Sequence, residues 1–127
     1  MSPIRMERIE AATRVVVAFI EAFNQHDVAG MMQLVSEHSI LEAPSPAPNG
    51  MLISGKDAIT QYWIDFFKQH CDVHLKVEES IGYGMRCLLR WKRDWVDEDG
   101  SPLHVRGMDF FRVQDGLITE ELVYVKM

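Results

Sequence analysis

The apolar period of this chain changes once, just before Asp72, and that change limits the possible folds more than any other feature. Up to His70 the longest patterned segments carry apolar residues every three or four positions. From Asp72 onward apolar and polar residues alternate. The first spacing makes one face of a helix and the second one face of a strand. Helices first and strands afterwards describe an α+β domain, with a helical layer on one face of a sheet. The 127 residues are the size of one domain, expected over 1–127.

Ile9, Ala12, Val16, Phe19, Ile20 and Phe23 predict a helix over about Glu7–Asn24. Asp27 is placed to cap a second, short helix carrying Val28, Met31, Met32, Leu34 and Val35. His38–Ala43 and Met51–Ser54 read as short strands. Between them the run Pro44-Ser-Pro-Ala-Pro-Asn-Gly50 reads as a loop, because its prolines lack backbone donors. A third helix, about Lys56–His70, carries Ala58, Ile59, Tyr62, Trp63, Phe66 and Phe67; such an aromatic stripe reads first as core. Val73, Leu75 and Val77 alternate in the next strand, and Gly82 and Gly84 mark a turn. Met85–Val96, Leu103–Val113 and Leu117–Val125 follow, joined by short Asp/Gly turns, which predicts an antiparallel meander.

Strand parity then sorts the side chains. Cys87, Leu89, Trp91, Arg93 and Trp95 share the more apolar face and should look toward the helices. On the next strand Val105, Gly107, Asp109, Phe111 and Val113 share one face, while the other carries His104, Arg106, Met108, Phe110 and Arg112. The first set should be inward, unless a β-bulge turns Asp109 out. In the last strand both sets contain apolar residues, so parity does not decide.

An inward Asp109 costs free energy unless it is protonated or partnered. Two readings are open: Asp109 is tied to Arg93 and fixes the sheet, or desolvation makes it a proton donor or acceptor beside an apolar pocket.

The helical N-terminus, Gly55-Lys56-Asp57-Ala58-Ile59 opening the third helix, Arg90-Trp91 in a strand, and above all RGMDFFRVQDGLITEEL over 106–122 resemble the SnoaL-like, polyketide cyclase-like branch of the nuclear transport factor 2-like superfamily. The resemblance implies a cone-shaped fold: three N-terminal helices on a strongly curved, mainly antiparallel sheet, enclosing a deep apolar pocket. It also implies a homodimer through the outer sheet face, where Met108 and Phe110 would lie. The superfamily includes ketosteroid isomerase, limonene epoxide hydrolase and scytalone dehydratase, so fold alone does not fix function. Asp109 matches the acid/base aspartate of SnoaL-type cyclases and the oxyanion-hole aspartate of ketosteroid isomerase. The isomerase's base has no counterpart, since its position holds Ala43, and Glu42 beside it should point the other way.

Asp109 and Arg93 are therefore the candidate catalytic residues, for acid/base chemistry on a small apolar carbonyl compound. Trp91, Trp95, Phe111, Tyr62 and Phe66 would wall the pocket, with Phe19 and Phe23 from the first helix and Glu120 and Leu122 from the last strand. The alternative is a non-catalytic binding domain for an apolar ligand. The five histidines fall near element ends or on polar faces. No cofactor is expected: GxGxxG, P-loop and HExxH patterns are absent, and Cys71 and Cys87 have no zinc-ligand spacing. A net charge of −6 argues against nucleic acid. No run of residues is apolar for long enough to span a membrane, and no signal-like segment opens the chain, so a cytoplasmic location is expected.

Overall fold

The computed structural model describes residues 3–126. The elements are α1 (Pro3–Asn24), α2 (Val28–Met32), β1 (Val35–Ala43), β2 (Met51–Ser54), α3 (Lys56–Gln69), β3 (Cys71–Tyr83), β4 (Arg86–Val96), β5 (Pro102–Gln114) and β6 (Leu117–Val125). The helices lie on a six-stranded sheet of order β2-β1-β6-β5-β4-β3. All neighbouring pairs are antiparallel except β1 with β6, which run parallel. This is the expected α+β cone with its curved sheet.

Local chemistry sets the boundaries. α1 stops because His26 adopts a left-handed φ of 56°, and the turn closes with Asp27 N–H donating to the Ala22 carbonyl at 2.9 Å. Asp27 caps α2 as expected, its Oδ1 accepting from Gly30 N at 2.9 Å. Several boundaries differ from expectation. α1 starts earlier, at Pro3. Leu34 and Val35 lie beyond α2, with Val35 in β1. Gly82 belongs to β3, where it pairs with Cys87, rather than to the turn. Val35 leaves the helix because it is buried and registers with Ile118 in the sheet. The β5–β6 hairpin turns on Asp115 and Gly116, both at positive φ, which matches the right-handed twist of its strands.

The helical layer is fastened at one point of particular consequence. Asn24, the last residue of α1, donates from Nδ2 to the Leu75 carbonyl at 2.9 Å and accepts from Leu75 N at 2.8 Å. The pair aligns the aromatic end of α1 with β3. Phe19 and Phe23 then meet Trp63 of α3 edge-on, at centroid distances of 6.3 and 5.7 Å, and Phe19 meets Phe111 of β5 at 5.7 Å. Ala12, Val16, Phe19, Ile20 and Phe23 are all buried, so the helical spacing of α1 does face the sheet.

Candidate functional site

The site grows from one register. On β4, Cys87, Leu89, Trp91 and Arg93 are buried in alternation. On β5, Gly107, Asp109, Phe111 and Val113 are buried. Leu89 opposes Asp109 and Trp91 opposes Gly107. A Cβ on Gly107 would stand 2.7 Å from Cζ2 and Cη2 of Trp91, so only a glycine lets the indole lie across this strand. Asp109 is 4% exposed and points inward, as parity indicates, with no bulge turning it out.

The last strand supplies what parity could not. Between β5 and β6 the pairing slips: Val113 opposes Ile118, but Arg112 opposes Glu120. The slip leaves Thr119 as an extra residue and reverses the alternation beyond it. Ile118 is therefore buried, and so are Glu121 and Val123. Glu120 lies on the outer face and pairs with Arg86. Leu122 also lies outside, beside Leu88 and Phe110. Glu120 and Leu122 are thus corrected: neither faces the interior. Glu121 takes that place, opposite Phe111 and diagonal to Asp109.

Two carboxyls therefore share the interior, Asp109 and Glu121, the latter 5% exposed. Burial pushes both above the ordinary carboxylate range. Glu121 rises well above it, because the Asp109 charge and the hydrogen bond between them add to its desolvation. The same bond lowers Asp109, as a bond donated by a protonated Glu121 must. Trp91 Nε1 lies near enough to favour the Asp109 carboxylate, although neither Nε1 nor Asp109 Oδ1 completes a hydrogen bond. Tyr62, largely buried beside them, has its phenol pushed up to about 12, by burial first and then by Glu121.

Of the two readings left open by the sequence, the Arg93–Asp109 ion pair does not form. Among the described residues no acid lies within 4.0 Å of its guanidinium. The register explains this: Arg93 opposes Val105, four residues along β5 from Asp109. Its guanidinium carbon instead sits 4.9, 5.0 and 5.7 Å from the ring centroids of Phe66, Trp91 and Trp95. Arg93 is 9% exposed, and its Nε has no partner. Burial lowers its pKa, against the pull of Asp109, Tyr62 and Glu121.

The space around these groups is in two parts. The inner chamber, lined by Phe19, Phe23, Trp63, Trp91, Asp109 and Glu121 among others, has a volume of only about 10 Å³. That is room for roughly one water, on the order of 10–15 Å³. The expected deep pocket is thus filled by its own aromatic walls. A larger cavity of about 410 Å³ opens outside it, under the 44–50 loop, with Trp95, Val105, Tyr124 and Val125 on its walls. Arg93 and Val123 line both spaces and form the partition. Of the expected wall residues, Trp91, Phe19 and Phe23 line the chamber, and Trp95 lines the mouth. Phe66 backs Arg93, Tyr62 packs on Trp63 at 5.0 Å, and Phe111 is fully buried against Phe19. Ala43 is buried and also lines the mouth. Among the described residues no group of three or more His, Cys, Asp or Glu could hold a metal, and no helix is long and apolar enough to cross a membrane.

Comparison with known proteins agrees with this architecture. The model of the SnoaL-like domain matches residues 16–121. A crystal structure of an NTF2-like protein of unknown function from Mesorhizobium loti is 33% identical, covers 94% of each chain and has a TM-score of 0.80. A Mycobacterium tuberculosis protein in complex with estradiol-17β-hemisuccinate has the same fold at 20% identity, covering 92% of this chain and 95% of its own, with a TM-score of 0.80. A protein with a ketosteroid isomerase-like fold from Catenulispora acidiphila, in complex with trimethylamine, is 14% identical, covers 87% and 83%, and has a TM-score of 0.76. A comparison with curated proteins finds no match. The matched residues run from within α1 to within β6, and on that ground the chain belongs to the SnoaL-like domain family of the NTF2-like superfamily.

Proposed function

We propose that this protein binds a small, mostly apolar carbonyl compound and moves a proton at the carbon beside the carbonyl, without a cofactor. The observation that supports it is that Asp109 and Glu121 are buried together in one small interior chamber, where burial pushes both carboxyls above their ordinary range. In such a pair one member is ionised and the other protonated near neutrality, so base and acid stand side by side. Asp109 takes the proton from carbon, and the C–H electrons pass into the carbonyl to leave an enolate oxygen. The Glu121 O–H donates to that oxygen, and the Arg93 cation offsets its charge. Return of the proton from Asp109 to the same or a conjugated carbon completes exchange or isomerisation. Glu121 thus supplies the second carboxyl that Ala43 lacks in β1. Substrate reaches the pair from the mouth by displacing Arg93 and Val123, which divide the two spaces. The ligand held by the Mycobacterium tuberculosis neighbour supports a small-ligand use of this cone.

The test does not depend on the identity of the natural substrate. Small apolar ketones in D2O are followed by NMR for deuterium entering beside the carbonyl. The wild type should exceed buffer for at least one ketone, and Asp109→Asn should lose about 10²- to 10⁴-fold of that rate. Exchange no faster than buffer across the series, or unchanged in the variant, would reject the acid/base role. The second reading, a binding domain in which Asp109 does no chemistry, draws on the roughly single-water size of the chamber. We also infer that two copies pair through the outer sheet face, where Tyr83 and Tyr124 are exposed.

A further inference from the structure

Arg93 is the buried cation among the described residues, and no acid among them pairs with it at close range. The rings of Phe66, Trp91 and Trp95 attract its charge by their faces. Rings do not replace the in-plane acceptors that a guanidinium fork is built for, and Nε is left without one. The interior acids Asp109 and Glu121 pull on Arg93 only from beyond ion-pair distance, so neither occupies its fork. A buried charge in this state is costly unless a partner arrives. Arg93 also lines the mouth, a cavity of about 410 Å³ whose remaining walls are largely apolar. Trp95, Val105, Val123 and Val125 come from the sheet, and Pro44 and Pro48 from the overhanging loop.

We propose that the mouth is a carboxylate-binding site: its ligand is a small organic acid whose carboxylate pairs with the Arg93 fork and whose apolar body lies between Trp95, Val105 and the proline loop. One planar monoanion matches one guanidinium in charge and in geometry. The inner chamber need not open for this ligand, since Arg93 faces the mouth as well. The inference stands apart from the acid/base reading, because an acid can bind at Arg93 whether or not Asp109 and Glu121 act on it.

The charged and titratable groups around Arg93 fix what should alter binding. Asp109, Glu121 and Tyr62 lie on its interior side. His70, at the end of α3, stacks on Phe66 and meets Trp95 at 5.1 Å. Glu42 is the acidic residue on the mouth wall and opposes an incoming anion.

Benzoate and benzamide separate charge from shape, since they share a ring and nearly the same volume. Binding is measured by calorimetry at neutral pH on the full chain. The wild type should take benzoate at least about tenfold more tightly than benzamide. Arg93→Met should erase that preference, and Glu42→Gln should raise benzoate affinity by roughly two- to threefold while leaving benzamide unchanged. Equal affinities for the two ligands, no saturable binding of benzoate, or benzoate binding untouched in Arg93→Met would overturn the proposal. If Arg93→Met does not fold, the wild-type comparison decides alone. Benzoate has no hydrogen on a carbon beside a ketone, so this measurement is blind to the fate of the proton-transfer reading.

Discussion

Glu121 and Asp109 each bury a carboxyl that water would otherwise solvate, and the molecule carries the cost as a pH dependence. The folded pKa of Glu121 lies well above the ordinary 4.5, with burial as the first cause. Between 4.5 and the folded value the native state therefore holds a proton that the unfolded chain has released. Stability must then fall as pH rises through that window, by about 1.4 kcal/mol per pH unit for one proton. Glu121→Gln keeps a donor toward Asp109 and removes the titration. It should unfold at higher urea than the wild type at pH 7.5 and show a shallower slope down to pH 5, read from tryptophan fluorescence. An identical slope in wild type and variant would show that Glu121 is not the group responsible. Asp109 was legible in the sequence because the opposite face of β5 carries His104, Arg106 and Arg112, while Phe111 and Gly107 share its parity, although Met108 and Phe110 blurred the alternation. Glu121 was not, since the neighbouring Glu120 carries the same side chain at the opposite parity. The structure shows the break: Ile118 and Val123 are both buried yet five residues apart, so the alternation reverses between them, and apolar residues at both parities hid this in the sequence.

That break is a property of an element, and the elements were legible to different depths. The helical faces of α1 and α3 followed from spacing, because a 3.6-residue period survives small errors of boundary. The antiparallel meander followed from short turns at Gly84, Gly100 and Gly116. The parallel contact of β1 with β6 did not follow, since it joins segments some 80 residues apart and no local turn announces it. Nor did parity show that aromatic side chains would fill the cone, which depends on ring packing in three dimensions. The Asn24 clamp on Leu75 was equally silent: a polar residue at a helix end reads as solvent-facing until a strand edge is set against it. It satisfies both backbone groups of Leu75. Asn24→Ala should therefore cost about 2 kcal/mol, near 1 kcal/mol for each hydrogen bond. Chemical denaturation measures that loss, and a variant within about 0.5 kcal/mol of the wild type would mean that water replaces the amide without penalty.

At the scale of the whole molecule the two faces of the sheet differ in chemistry. The concave face holds the carboxyl pair and Arg93. The outer face carries Ile81, Tyr83, Leu88, Phe110, Leu122 and Tyr124 around one depression. Ile81, Tyr83 and Tyr124 are exposed, and Phe110 meets Tyr124 at 5.8 Å without a covering element. Arg86–Glu120, Arg90–Glu79 and Arg106–Glu78 form ion pairs among the charged residues of these strands. An apolar centre with a charged surround is the anatomy of a protein interface, and a two-fold pairing sets the same patch against itself. The register slip at Thr119 contributes directly, because it sends Leu122 outward to join this patch while turning Glu121 inward. One irregularity in β6 thus completes the interior acid pair and the outer surface together. The protein should sediment as a dimer at micromolar concentration. Leu122→Lys places like charges across the two-fold contact and should shift the species to monomer by analytical ultracentrifugation, with circular dichroism unchanged. A wild type that sediments as a monomer at high concentration, or a Leu122→Lys variant that remains dimeric, would remove the outer face from this role.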